Sequence, residues 1–582
     1  LETEICFLAD VDINGTTYHF SSFPIEIHND NNTESIQYQG RLSDPDISHE
    51  LIEIGQIKLS QNSISMAVVF PFNVAKKALA GLGIDNAPVT IYYVTVKNKQ
   101  IRQTSEQRIA IYKGKIVDPI YGYPGSDSGY VEFSIENEIY VNDSSLLRLI
   151  NGDLALFDDY QFSREAFIGA GRLENIIVDG IVPIANAYRG KCIPAVIGNP
   201  GSTKKFDGTT LTYFATPTYL IASDVSAAPV EYFFIIAGHA TTATSVKILD
   251  NKGNVENARP VFQAVGARGE IYSYTYVDFG VLNLDFNDTT NQYFLEWNDG
   301  GGAISTTGET LEGGGDIITW CLDSLNVNYD RDALAAAKPI LNEYKFAGYI
   351  NDIGIKAYEF LQKYVMPFLP CTLANGANGL YPVLDLRLCS DHLQSRLEIE
   401  ADVLFERISP VEPLQQDIVN DITVQFASAF VQNFKVEAST KSAGYFIGDS
   451  NEYKNIIQIR ATRPNGLTAD YEIVSPYAII SQQRYGRRPT NIALEYVHDR
   501  DTATKIGLDM MRRVSLPQRK CTYRAAFKFG YLMVGDVITL TDLDIGLLQN
   551  RVQIISKRYD GASWLYGILL QDNPIDNIRD SL

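Results

Sequence analysis

Several short stretches of this 582-residue chain hold the residue types of a working site, and their spacing decides each case. Asp10-x-Asp12-x-Asn14-Gly15 matches the first half of a calcium loop, where alternate carboxylates converge on one ion and glycine makes the sharp turn. The twelfth position should be a bidentate Glu and is Ser21, so the stretch is read as a hairpin turn. His49-Glu50-Leu51-Ile52-Glu53 begins like a zinc-protease helix, but the second His is missing and two ligands cannot face one metal. Gly198–Lys204 (GNPGSTK) has the flavour of a phosphate loop with the wrong spacing, and Pro200-Gly201 makes an ordinary turn there. Gly169-Ala170-Gly171 lacks the third glycine of a dinucleotide fingerprint, and Ser128 is out of register for a nucleophile elbow. Histidines 19, 28, 49, 239, 392 and 498 are isolated from one another in sequence. A fold can still bring one of them beside a Ser or Cys, and 70 carboxylates leave room for a glycosidase pair. No motif supports a catalytic, cofactor-binding or metal-ligating assignment, and the chain is expected not to be an enzyme.

Charge is more informative than these motifs. Against 70 Asp and Glu stand 49 Lys and Arg, a net of −21 and a pI near 4.8. A chain this acidic is a poor grip for a phosphate backbone, where Lys and Arg displace counterions, and for an anionic membrane surface. No apolar run reaches the roughly 18 residues of a membrane span, so no membrane insertion is expected. The exception to the acidity is Gln482–Tyr531, with 11 Lys and Arg against 4 Asp and Glu. Arg484, Arg487 and Arg488 head it, and Arg512 and Arg513 follow on a helix. The bland reading is a solvated helix face with strand edges. The sharper one is a docking surface for an acidic neighbour, such as another copy of the chain or a tube protein.

The elements that must position these residues are mostly strands. At 64.8 kDa the chain has material for about four domains, with 45% hydrophobic and 20% charged residues. The six cysteines form no CxxC pair and read as buried, reduced thiols of a chain folded in a cytosol. The first residues, LETEICFLADVD, are acidic where a signal peptide is basic. They open on Leu, so an initiator has been removed or the numbering starts inside the gene product.

Val11–Phe20 reads as two strand ends around an Asn14-Gly15 type I′ turn, and Ile91–Val96, Arg108–Val117 and Tyr130–Ile139 alternate as strands. Residues 1–140 are expected to form a small barrel, 141–315 an all-β internal domain, 316–397 a helical α+β segment, and 398–582 a second β domain. In the helical segment, Ile317, Ile318, Cys321, Leu322 and Leu325 fall at helical spacing, and Asp332 reads as the cap of a helix running into Pro339. Ile355, Tyr358, Leu361, Val365 and Phe368 repeat that spacing. The last domain shows one clear helix, starting at Asp501 with Ala503, Ile506, Met510 and Val514 on its inner face. The fold class is mainly β with an α+β insert, multidomain, with no solenoid repeat.

The last hundred residues carry the most specific signal. Ser481–Pro489 (SQQRYGRRP) precedes a helix, then Gly535-Asp536 turns into strand Val537–Thr541, followed by strands Asn550–Arg558 and Trp564–Leu570. This order resembles the C-terminal β domain of tailed-bacteriophage baseplate-hub and tail-tip proteins. IPAVIGNPG with VKILDNKGN, and the segment from GDIITWCLDSLNVNYD to IKAYEFLQKYVMPFL, are similar to the internal β and α+β parts of such proteins.

The resemblance implies a structural virion protein with two tube-like barrels per subunit, folded in the host cytoplasm and located at the tail tip. It implies a homotrimeric hub that closes the distal tube and adapts six-fold to three-fold symmetry. Its partners would be the tail tube or distal tail ring, the tape-measure protein and a central spike or fibre, with genomic DNA in transit through the lumen. An acidic lumen would repel that DNA, and the basic stretch would lie at a subunit or tube contact. Longer relatives continue into fibre or cell-wall-cleaving regions, and those activities are not carried over. The rival reading is a carbohydrate-binding adhesin of the virion tip, and a third is a hydrolase hidden in the middle domains.

Overall fold

A computed structural model describes residues 3–28, 34–43, 46–50, 62–71, 84–97, 102–104, 108–122, 128–136, 139, 142–152, 156, 190–199, 202–204, 211–224, 231–241, 245–250, 255–265, 271–277, 293–299, 310–414, 417–428, 445–446, 453–461 and 471–570. The chain is mainly β with an α+β insert, as its sequence leads one to expect.

The N-terminal strands are β1 (Thr3–Ile13), β2 (Thr16–Ser21), β3 (Ile25–His28), β4 (Ser35–Gly40), β5 (Asp46–Glu50), β6 (Asn62–Pro71), β7 (Pro88–Lys97), β8 (Arg102–Thr104), β9 (Ile109–Gly122) and β10 (Ser128–Glu136). β1 and β2 form the expected hairpin, with Ile13 facing Thr16 across Asn14 and Gly15. Both turn residues have positive φ, 53° and 78°, as a type I′ turn requires. Pairing then runs β2–β1–β7–β9–β10–β6. Leu42 closes the ring, since its N–H donates to Ser21 O (2.9 Å) and it bridges Val68 of β6. A period of two turns Val89, Ile91, Tyr93, Ile111, Val131 and Phe133 into the ring with Phe7 and Ala9, while Cys6 and Leu8 of β1 are buried on its other face.

Next come helix α1 (Leu146–Asn151), β11 (Ala195–Ile197), β12 (Ser202–Lys204), β13 (Leu211–Asp224), β14 (Glu231–Ala237), β15 (Ser245–Asp250), β16 (Val255–Val265), β17 (Ile271–Val277) and β18 (Tyr293–Asp299). Six of these strands also close on themselves, pairing β13–β14–β17–β16–β15–β18 and back to β13, all antiparallel.

Helix α2 (Gly314–Ser324), α3 (Arg331–Leu341), strand β19 (Gly348–Ile350), helix α4 (Ala357–Phe360) and the hairpin β20 (Cys371–Gly376)–β21 (Gly379–Leu384) make the α+β segment. The cap of α3 is Asp330 rather than Asp332, its side chain accepting from Ala333 N–H at 2.9 Å. Pro339 lies inside α3 rather than ending it; so near the C-terminus it forfeits one hydrogen bond. Beyond α4 the helix widens to a π turn at Leu361–Val365 and tightens to a 3₁₀ turn at Met366–Phe368, around Pro367, which has no N–H to give.

The remaining elements are β22 (Glu398–Glu400), β23 (Phe405–Arg407), β24 (Glu412–Pro413), β25 (Asp421–Ser428), β26 (Tyr445–Phe446), β27 (Tyr453–Arg460), β28 (Tyr471–Val474), α5 (Pro476–Tyr485), β29 (Pro489–Leu494), α6 (Arg500–Val514), β30 (Arg519–Ala525), β31 (Val537–Asp542), β32 (Leu547–Tyr559) and β33 (Trp564–Leu570). A third ring runs β23–β30–β33–β32–β31–β22, completed by the Ala401–Leu404 turn. β28, β27, β25 and β29 form a separate four-stranded sheet, with α6 packed on β25 and β27. Among the described residues this region holds helix α5 besides the helix expected from Asp501.

Among the described residues the two most extensive cores both draw on distant sequence. In one, the N-terminal ring and the β22–β33 ring pool their interiors, with Phe7 edge-on to Tyr559 at 5.0 Å and Tyr93 5.6 Å from Trp564. β5 pairs with β32 across this seam, Glu50 facing Ser556 and Ser48 facing Arg558. The other core joins α1, α2, α3 and the Phe360–Leu369 turn to the four-stranded sheet and α6.

Candidate interaction surface

The basic stretch is built by two helices and one buried amide. α5 starts with Pro476 in its first turn and ends at Gly486, whose φ of +69° is a conformation that favours glycine. α6 is capped by Asp499, whose carboxylate accepts from Thr502 N–H and Oγ1–H at 2.8 Å. Between them sits Asn420, fully buried. Its Nδ2 donates to Ser481 Oγ (2.9 Å) and Gly486 O (2.8 Å), and its Oδ1 accepts from Arg488 N–H (2.7 Å). Its backbone takes a bond from Gln482 Nε2 (2.9 Å) and gives one to Arg488 O (3.0 Å). The end of α6 arrives at the same place, because Val419 N–H donates to Val514 O.

The arginines around Asn420 then divide. Arg484 and Arg488 are exposed and Arg512 is half-buried, and none of the three has a carboxylate partner among the described residues. Arg487 is largely exposed but pairs with the buried carboxylate of Asp421, which Arg460 also approaches at 3.8 Å. Arg513 is buried and points inward. Its Nη2 donates to Leu369 O (2.6 Å), and its Nε lies 3.3 Å from Asp385 Oδ2. Arg387 also grips Asp385, its Nη2 donating to the same Oδ2 at 2.6 Å and its Nε to Oδ1 at 2.9 Å. Burial pushes the Asp385 carboxyl up, but the two guanidiniums outweigh it and hold it below the usual range. Arg513 is thus a core residue, because the side of α6 that carries it meets Leu369 and Asp385 of the α+β segment. Motif and periodicity patterns single out neither Asn420 nor α5. Ser475-Pro476 followed ten residues later by Gly486 is the helix signal that the residues do carry.

The other constellations are accounted for locally. Asp10 engages His19 Nδ1 (2.7 Å) and Arg108 (3.4 Å) with its carboxylate, and Arg108 also donates to Tyr38 OH at 2.7 Å. His49 lies on strand β5, not on a helix, and Ser128 opens strand β10 rather than a strand-to-helix turn. Gly169–Gly171 lies outside the described residues. His239 is buried, accepting from Val196 N–H at Nε2 (3.0 Å) and donating from Nδ1 to Ala240 O (2.9 Å). Burial pulls that imidazole down to about 4, so it is neutral near pH 7 and occupied by backbone. Burial also pushes the thiols of Cys371 and Cys389 up to about 12 and Cys521 to about 11, leaving little thiolate for nucleophilic attack. Among the described residues, no three His, Cys, Asp or Glu side chains converge as a metal site. No helix among them is long and apolar enough to cross a membrane.

Comparison with known proteins places the basic surface in a familiar stretch. Residues 433–555 match the family model described as a putative phage tail protein. That segment contains Ser481–Pro489, α5, α6, β30 and β31, so the resemblance to phage tail proteins is found where the sequence carries it. No curated protein matches the chain. Among solved structures the chain is similar to the 43 kDa tail protein of prophage MuSo2 from Shewanella oneidensis, at 8% identity and a TM-score of 0.33, covering 97% of this chain and 98% of that one. It is also similar to the tail protein from Neisseria meningitidis MC58, at 8% identity and a TM-score of 0.32, covering 97% of each chain. A third is the prophage tail protein gp18 from Listeria monocytogenes EGD-e, at 10% identity and a TM-score of 0.21, covering 67% of this chain and 97% of that one.

Proposed function

We propose that this chain is a structural protein of a bacteriophage tail, forming a homotrimeric hub that closes the distal end of the tail tube. The observation that carries the reading is the family match over residues 433–555. The two strand rings made by the ends of the chain support it further. A trimer with two tube-like rings per subunit offers six to a hexameric tube or distal tail ring, and three-fold symmetry to a central spike or fibre. The lumen passes tape-measure protein and then DNA. The net charge of −21 suits that passage, because a wall that repels phosphate does not hold DNA in transit. In this reading the protein folds in the host bacterial cytoplasm, acts in the virion, and carries out no catalysis. Sedimentation and low-resolution imaging of the purified chain test it, with a three-fold ring expected. A stable monomer or a two-fold dimer would overturn the hub reading.

A further inference from the structure

One end of the β22–β33 ring holds apolar side chains out in water. Val403 is 94% exposed, Leu543 73% and Leu548 70%, with Leu404 beside them. They come from the β22–β23 turn, the β31–β32 turn and the start of β32, which the pairing brings to one place. β22 and β31 run parallel and finish together, Glu400 facing Thr541, and Ala401 N–H donates to Thr541 O (2.9 Å). β32 starts from the same end, with Leu547 facing Asp542. The turn carrying Val403 is pinned by Asp402 Oδ1, which accepts from Leu404 N–H (2.7 Å) and Phe405 N–H (3.0 Å). Val403 and Leu404 are therefore presented by a fixed turn.

The surroundings of this tip are acidic. Glu398, Glu400, Asp402, Glu406 and Asp544 are all exposed. Arg407 is paired with Asp542 (3.0 Å) and lies 3.9 Å from Asp544, and Arg551 donates to the carbonyls of Ser390 and Leu393. Lys528 is an exposed cation on the adjoining turn. On the α5–α6 face basic residues predominate. Ile479 and Leu508 are exposed apolar residues there. Arg512 lies one turn beyond Leu508 on α6 and Arg484 five residues beyond Ile479 on the exposed side of α5, with Asp501 an exposed acid at the start of α6.

We propose that the acid-rimmed tip, Val403 with Leu543 and Leu548, docks on the α5–α6 face of a second copy of this chain, with Arg484 and Arg512 against Glu400 and Asp544. Two patches that match in apolar character and oppose in charge, both carried by every copy, argue for self-association. Because the patches differ, the contact is head-to-tail, and it propagates around a ring until it closes. This deepens the hub reading and rests on it.

The test is charge reversal in the full chain, read by sedimentation. Glu400→Arg with Asp544→Arg reverses the tip, and Arg484→Glu with Arg512→Glu reverses the helix face. Each pair is expected to weaken self-association by at least about tenfold while leaving the melting profile little changed, since Glu400, Asp544 and Arg484 are exposed and the half-buried Arg512 has no carboxylate partner to lose among the described residues. The chain carrying all four substitutions restores opposite charges at every contact, and it is expected to reassemble with the wild-type stoichiometry. If the wild type assembles and the reversals leave it unaffected, this pairing of surfaces is wrong and the hub stands. The pairing is equally wrong if the fourfold variant stays apart, or if the tip reversal abolishes binding only to a different tail protein. A wild type that never self-associates sinks the hub reading and this one together.

Discussion

Lys557 is a charged residue in an apolar place. It sits on β32 where the two end rings share their core, its Nζ donating to Gly530 O (2.6 Å) and lying 4.5 Å from the centre of the Trp564 ring. Burial pulls its ammonium down to about 7, against the opposing pull of Asp536. Above that pH the folded protein sheds the proton, while the unfolded chain keeps it to about 10.4. The unfolded state then binds more protons, so this residue makes stability rise with pH, by at most about 1.4 kcal/mol per unit. Below about 7 the full cost is present. Lys557→Met removes it, so the variant is expected to exceed the wild type in stability at about pH 7, with the advantage shrinking toward about pH 9. Denaturant midpoints of both proteins across that range check it, and a difference flat in pH would mean the ammonium stays protonated. Taking the difference matters, because buried thiols and phenols such as Cys521 and Tyr93 shift in the opposite sense at the alkaline end.

At the scale of elements, α6 lies on its sheet through Gly507. A Cβ there would come within 2.5 Å of Ile459 Cδ1 and 2.9 Å of Val424 Cγ2. Ala503, Ile506 and Met511 are buried beside this close approach, while Arg513 enters the core on the side that faces Leu369 and Asp385. The sequence pattern points instead to Met510 and Val514, both of which are only half-buried. Gly507→Leu is expected to lift the helix and cost about 1–3 kcal/mol or more, since overpacking outweighs the roughly 1 kcal/mol of helix propensity gained. Urea unfolding measures that cost. An unchanged midpoint would show that the side chain escapes to solvent, and that α6 does not depend on the contact.

For the whole molecule, the seam means that the N-terminal strands do not complete a core alone. Trp564 is fully buried and reaches Phe7 (6.5 Å), Tyr93 (5.6 Å) and Tyr559 (5.3 Å), two of them some 470 or more residues away. Trp564→Ala is expected to cost about 3–5 kcal/mol and to lower hydrogen-exchange protection in β1 and β7 as well as in β30 and β33. Loss confined to β30–β33 would mean that the two rings are energetically separate.

The sequence by itself determined what each stretch is: strand Trp564–Leu570 has the bounds its residues suggest, and the Asn14-Gly15 turn makes the hairpin it should. The mainly β class and the acidity were equally legible, since periodicity and charge are properties of neighbours in the chain. Only the tertiary structure decided which of two adjacent arginines, Arg512 or Arg513, faces water, and that Asn420 gathers the basic residues around itself. It also decided that Glu50 pairs with Ser556 and that one core closes over both ends of the chain. These are long-range choices. They follow from burying apolar faces against one another, and a face left open by one segment does not record in its own residues which distant segment will cover it.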